Sequence, residues 1–95
     1  MNERTLYKTW QKFAEANDLE FQQNEQYIIG GIITELTLAK DNQALIKAKL
    51  AKMGTSLSYN WTKLFKPGNP DHFIKDKFVR STTEELQEAL DQIKA

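Results

Sequence analysis

The chain has 95 residues, with no cysteine, one histidine (His72), two prolines and four glycines. Without cysteine there can be no disulfide, thiolate nucleophile, thiol redox chemistry or cysteine-ligated zinc. One histidine excludes H-E-x-x-H and any multi-histidine metal site within a single chain. A long apolar run is also missing. The longest, residues 27–33, is seven residues including two glycines, whereas a membrane-spanning helix needs about 20. Met1-Asn2-Glu3-Arg4 is not a basic segment leading into an apolar stretch, so no secretory signal is read and the cytoplasm is the expected compartment. In that setting the sequon Asn60-Trp61-Thr62 is a chance match. Neither G-x-x-x-x-G-K-[ST] nor G-x-G-x-x-G occurs, and no cofactor is expected.

Charge of one sign is lacking only in the total. Thirteen Lys and Arg balance thirteen Asp and Glu, yet residues 1–39 carry −3, residues 40–66 carry +5 and residues 67–95 carry −2. Neutrality therefore conceals a basic middle between acidic ends. Charged residues at 27% and hydrophobic ones at 40% are ordinary for a folded domain. The length suits one domain, residues 1–95, with no repeat and no separating linker.

Apolar spacing at about 100° per residue predicts mostly helices. Leu6, Tyr7, Trp10, Phe13 and Ala14 share one arc, giving an amphipathic helix over residues 2–16 that ends at Asn17-Asp18. Ile28, Ile29, Ile32, Ile33 and Leu36 form a second stripe, predicting a helix over residues 27–38. The alternative is a hairpin at about residues 22–38 turning on Gly30-Gly31, with Ile29 facing Ile32 and Tyr27 facing Thr34. Asp41 or Asn42 is expected to cap a helix over Gln43–Met53, with Gly54 at its C′ position, and a further helix follows over Ser56–Lys66. Asn69-Pro70 predicts the start of a short helix at residues 72–79, with a strand there as the alternative. Ser81 and Thr82, each three residues before a glutamate, offer a capping box for a last helix buried through Leu86, Ala89, Leu90 and Ile93. The expected fold is all-α, a compact single domain of five or six short helices. An α+β fold containing the hairpin is the alternative.

No catalytic constellation emerges. Glu84, Glu85, Glu88 and Asp91 read as a solvated helix face compensating the dipole. Glu25 and His72 are the residues an enzymatic reading would need, placed in a pocket, and a non-enzymatic protein is expected. Two binding surfaces are candidates. On the predicted 27–38 helix, Tyr27, Gly30, Gly31 and Leu38 lie away from the isoleucines and suit contact with a protein partner or a second copy of the chain. In the basic middle, Lys49, Lys52, Tyr59, Lys63 and Lys66 would lie on a helix-turn-helix-like pair and meet nucleic acid or an acidic protein. The favoured function is a small binding or regulatory module acting by protein–protein contact. The alternative is a nucleic-acid-binding regulator using residues 40–66. Salt sensitivity and Lys63→Glu or Lys66→Glu would mark the second; loss on Gly31→Leu or Tyr27→Glu would mark the first.

Overall fold

The structure is a computed structural model. It describes the backbone of residues 3–66, 69–76 and 82–94, with side chains at all of these except residues 3, 59–61 and 69–76. An N-terminal helix α1 (Glu3–Ala16) is followed by five strands, β1 (Glu20–Ile28), β2 (Gly31–Lys40), β3 (Gln43–Met53), β4 (Ser56–Lys66) and β5 (Asn69–Asp76), and by a second helix α2 (Thr83–Lys94). The strands form one antiparallel sheet in sequence order, each paired to the next.

The expected all-α fold is thus overturned. Of the predicted helices only the first and last form, at Glu3–Ala16 and Thr83–Lys94. Residues 27–38 are strand, and a hairpin joins β1 to β2. Its turn lies one residue earlier than Gly30-Gly31, because Ile28 pairs with Gly31 and Tyr27 with Ile32. The helices expected over Gln43–Met53 and Ser56–Lys66 are the two strands of another hairpin. Asn69 to Asp76 is strand, the alternative to the short helix expected over residues 72–79, and residues 77–79 of that expectation lie outside the described residues.

Turn chemistry accounts for the meander. Asp41 and Asn42, read as helix caps, both have positive φ (53° and 64°) between paired Lys40 and Gln43. Positive φ at both central positions is the requirement of a type I′ hairpin turn, which asparagine and aspartate tolerate. Gly54, read as a helix C′ residue, has φ 61° as the first central residue between paired Met53 and Ser56, the glycine position of a type II′ turn. Gly30 takes φ 85° at the second position of the first hairpin turn. Its neighbour Gly31 is needed for a different reason: a Cβ there would collide with the backbone carbonyl oxygen of Lys52.

Pairing is irregular between β2 and β3, between β3 and β4 and, at Phe65/Lys66, between β4 and β5, and the first two irregularities disguised the strand alternation. A bulge between Leu38/Ala39 and their partners leaves Leu45 as an extra residue, so Leu45 and Ile46 are both buried. A second bulge leaves Asn60 unpaired, since Leu50 pairs with Tyr59 and Lys49 with Trp61. Between these bulges the two-residue period is clean. Ile46, Ala48 and Leu50 are buried and Lys47 and Lys49 are half-buried on the other face.

One face of the sheet is covered. Leu36, Leu38, Ile46, Ala48, Leu50 and Leu64 meet Leu6, Trp10 and Phe13 of α1 and Leu86, Leu90 and Ile93 of α2 in a single core. Trp10 is fully buried, its ring 6.3 Å from that of Phe21 on β1. Helix α1 stops in a Schellman arrangement: Leu19 N–H donates to the carbonyl of Ala14 (2.8 Å) and Asp18 N–H to that of Glu15 (3.5 Å), with Asp18 at φ 55°. Leu19 then packs against the core. Helix α2 begins at a cap in which Thr82 Oγ1 accepts from Glu85 N–H and donates to Glu85 Oε1, both at 3.1 Å.

These packing roles set an order of stability losses in chemical denaturation. Trp10→Ala should cost about 3–5 kcal/mol by cavity formation, whereas Thr82→Ala should cost about 1 kcal/mol by loss of one cap. Equal losses would contradict the placement of Trp10 at the centre of the core.

Candidate functional site

The helical layer is shorter than the sheet. On β1 the helix-side positions beyond Phe21 (Gln23, Glu25 and Tyr27) are exposed, as are Gln22, Asn24 and Gln26 on the other side. The β1–β2 hairpin therefore projects past the helices, and its end is apolar. Tyr27 is 77%, Ile28 37% and Ile29 98% exposed, and Met53 from the β3–β4 hairpin is 47% exposed. The two hairpins meet there: Met53 pairs with Gly31, and its side chain lies over the glycine turn, so that a Cβ at Gly31 would come within 2.7 Å of Sδ. Inward of the tip, Ile32, Ile33 and Leu57 are half-buried, with Lys52 in register between Ile32 and Leu57. Isolated exposed apolar residues are common, but here four gather at adjacent hairpin ends: Tyr27 on the helix side, Ile28 and Met53 in register through Gly31 on the opposite side, and Ile29 in the turn between them.

Tyr27, Gly30 and Gly31 are thus brought together at this tip, on a turn rather than on a helix face. Leu38 is not with them. It is fully buried ten residues away from Ile28, in the core beneath the helices, because β2 runs inward from the tip. Ile28, Ile29 and Met53, which belong to the tip, were hidden in the sequence by the helical stripe into which the isoleucines fitted. Gly31→Leu cannot report on an interface here, since its Cβ would already strike Lys52.

The second surface is the sheet face opposite the helices, over which no described element lies. The basic residues expected on a helix-turn-helix pair stand on the β3–β4 hairpin instead. Lys49 alternates with buried Ala48 and Leu50, and Lys63 with buried Thr62 and Leu64, so both stand on this open face, as does Lys47. Lys52 falls in register with Ile32 and Leu57 near the tip, on the helix side. Lys66 borders a shallow depression on the open face with Lys47, Phe65 and Ala44. Tyr59 is the register partner of Leu50, and its side chain lies outside the described ones.

The sheet is electrically divided. Residues 20–39 hold three glutamates and no basic residue, whereas residues 43–66 hold five lysines and no acidic one. One ion pair crosses the border, Lys47 Nζ to Glu35 Oε1 at 3.5 Å. Both groups are about one-third exposed, so it contributes only a few tenths of a kcal/mol. Next to it the polar side chains of Gln22, Asn24 and Thr37 line a second depression with Glu35 and Lys47.

Glu25 is exposed on β1 and accepts a hydrogen bond from Gln23 Nε2 at 3.3 Å. His72 is in β5, its side chain outside the described ones. Among the described residues no cluster of three metal-ligating side chains occurs, and no helix is long and apolar enough to cross a membrane. No protein-family model, curated protein or solved structure matches the chain.

Because Ile29 touches almost nothing, Ile29→Asp should leave the thermal midpoint within about 2 °C of the parent, a surface-substitution effect below about 0.5 kcal/mol. A circular-dichroism melt checks this, and a large drop would mean that the tip is covered in the free chain.

Proposed function

We propose that the protein is a small non-enzymatic binding module that acts by protein–protein contact through the apolar hairpin tip. The observation that carries this reading is the run Tyr27-Ile28-Ile29, exposed in full sequence continuity and joined by Met53 from the neighbouring hairpin. Burial of such side chains on a partner is favourable by roughly 25 cal/mol per Å² of apolar surface, and aromatic anchors with aliphatic neighbours are typical of energetically dominant contacts. The turn that presents them is held by Gly30 and by the close approach of Gly31 to β3, so little ordering is required on binding.

The charges nearest the tip are of both signs, Glu25 on β1 and Lys52 in register with Ile32, so no single-sign field draws it to an anionic surface. A partner offering an apolar recess with polar edges fits it. That partner is another protein or a second copy of this chain.

Sedimentation velocity over a concentration series, followed by photo-crosslinking from position 29, tests the reading. A concentration-dependent dimer abolished by Ile29→Asp, or one saturable crosslinked adduct lost on Tyr27→Ser, is the expected outcome. A strict monomer that forms no specific adduct from position 29 would refute it.

A further inference from the structure

Strand β1 forms one border of the sheet, and among the described residues no strand pairs with its outer side. It has none of the devices that blunt a sheet edge. Over its nine residues it contains no proline, lysine or arginine, it keeps register with β2 without a bulge, and all but the half-buried Phe21 are exposed. The opposite border differs: β5 contains Pro70 and Lys75 and pairs irregularly with β4 at Phe65/Lys66.

The direction of each backbone group in β1 follows from the turn. Ile28 and Gly31 flank a two-residue turn and so form a hydrogen-bonded pair. Such pairs alternate along an antiparallel ladder, so Gln26, Asn24, Gln22 and Glu20 also direct their N–H and C=O groups at β2. Phe21, Gln23, Glu25 and Tyr27 direct theirs outward. An edge of this kind accepts a further strand through main-chain hydrogen bonds.

The strand is complementary to itself. Laid antiparallel on a second β1 over its full length, Glu20–Ile28, it has a two-fold axis at Asn24. Phe21 then meets the partner's Tyr27 and Gln23 the partner's Glu25, so every outward residue faces another and exchanges both of its hydrogen bonds. On the open face Gln22 meets the partner's Gln26 and Asn24 its own copy, amides that can bond to one another, while Glu20 meets the partner's Ile28. No like charges are opposed, and an aromatic pair forms at each end of the helix side. Other registers lose these matches. An axis between two residues opposes an outward residue with one turned toward its own sheet. An axis at residue 25 sets Glu25 against Glu25, and an axis at residue 23 sets Phe21 against Glu25.

We infer that two copies of the chain join edge to edge through β1, antiparallel about Asn24, into one continuous sheet. This rests on the protein-contact reading above and commits the partner to a second copy. The apolar tip of each hairpin comes beside residues 19–21 of the other copy, where Leu19 and Phe21 are half-buried.

The chain has no cysteine, so one introduced thiol tests the register. Asn24→Cys places two thiols on a directly opposed, non-hydrogen-bonded pair with Cα atoms about 4.5 Å apart, within disulfide range. Gln26→Cys, on the same face, places them about four residues apart along the strands, roughly 13 Å. Under mild oxidation, Asn24→Cys should form a covalent dimer at least about 10-fold faster than Gln26→Cys. In sedimentation velocity, Gln23→Pro should weaken dimerisation at least about 10-fold, because its ring replaces an outward donor and stands where the partner strand would lie. Circular dichroism checks that this variant folds. Should it not, Asn24→Glu serves, since it opposes two carboxylates at the axis, and mixing it with Asn24→Lys should restore the dimer. Crosslinking at neither position, equal rates at both, or a dimer indifferent to Gln23→Pro and Asn24→Glu overturns the inference. A strict monomer that still gives a saturable adduct from position 29, or a dimer lost on Ile29→Asp but not on Gln23→Pro, overturns it and leaves the tip reading intact. Crosslinking of Asn24→Cys that Ile29→Asp leaves unchanged supports the strand pairing and counts against the tip.

Discussion

Everything in this chain depends on two helices having to bury themselves on one side of a single sheet. Trp10, Leu6 and Phe13 of α1 and Leu86, Leu90 and Ile93 of α2 pack against the inner face of β2, β3 and β4, with Phe21 of β1 at its edge. That demand fixes which side of each strand is apolar, and so which side is left for charges. Burial of a large apolar side chain is worth roughly 1.5–3 kcal/mol, so a one-residue slip in any central strand would exchange a core row for a lysine row. The two bulges that flank the middle of β3 show how strict the demand is. Each inserts one residue yet returns the following side chains to the face the helices require.

The surfaces left over are consequences of that packing. Fourteen residues of α1 and twelve of α2 leave the end of the β1–β2 hairpin uncovered, and the residues there are apolar rather than charged. The outer face carries Lys47, Lys49 and Lys63 because the inner positions beside them are taken by Ile46, Ala48, Leu50 and Leu64. An acidic hairpin and a basic hairpin thereby lie side by side in one sheet, with Lys47 and Glu35 at the seam.

Legibility differed by element for physical reasons. The α1 stripe and the Thr82 cap with its glutamate could be read directly, because a helix repeats its pattern within one turn and needs no partner. The strands were misread where alanine and lysine, good helix formers, filled positions of a two-residue period. In β3 the spacing of Ile46, Leu50 and Met53 matches a helix face as well as it matches alternate strand positions plus a turn. In β4 the bulge at Asn60 shifts the apolar positions from odd to even, which erases the alternation over the length needed to recognise it. The isoleucines of the first hairpin made a helical arc on paper, while in the fold Ile28 and Ile29 are exposed and Leu36 is buried.

By itself the sequence determined the absence of thiol chemistry, the two terminal helices with their buried faces, and the concentration of positive charge in residues 40–66. These are properties of composition and of contacts within a few residues, which hold whatever the rest of the chain does. Only the tertiary structure decided that Tyr27 and Met53, 26 residues apart in sequence, lie at one end of the sheet and that Leu38 lies inside. It likewise decided that Lys47 and Lys63 stand opposite each other. Cross-strand register carries those decisions, and register follows from turns and bulges acting together with the helices, not from any local run of residues.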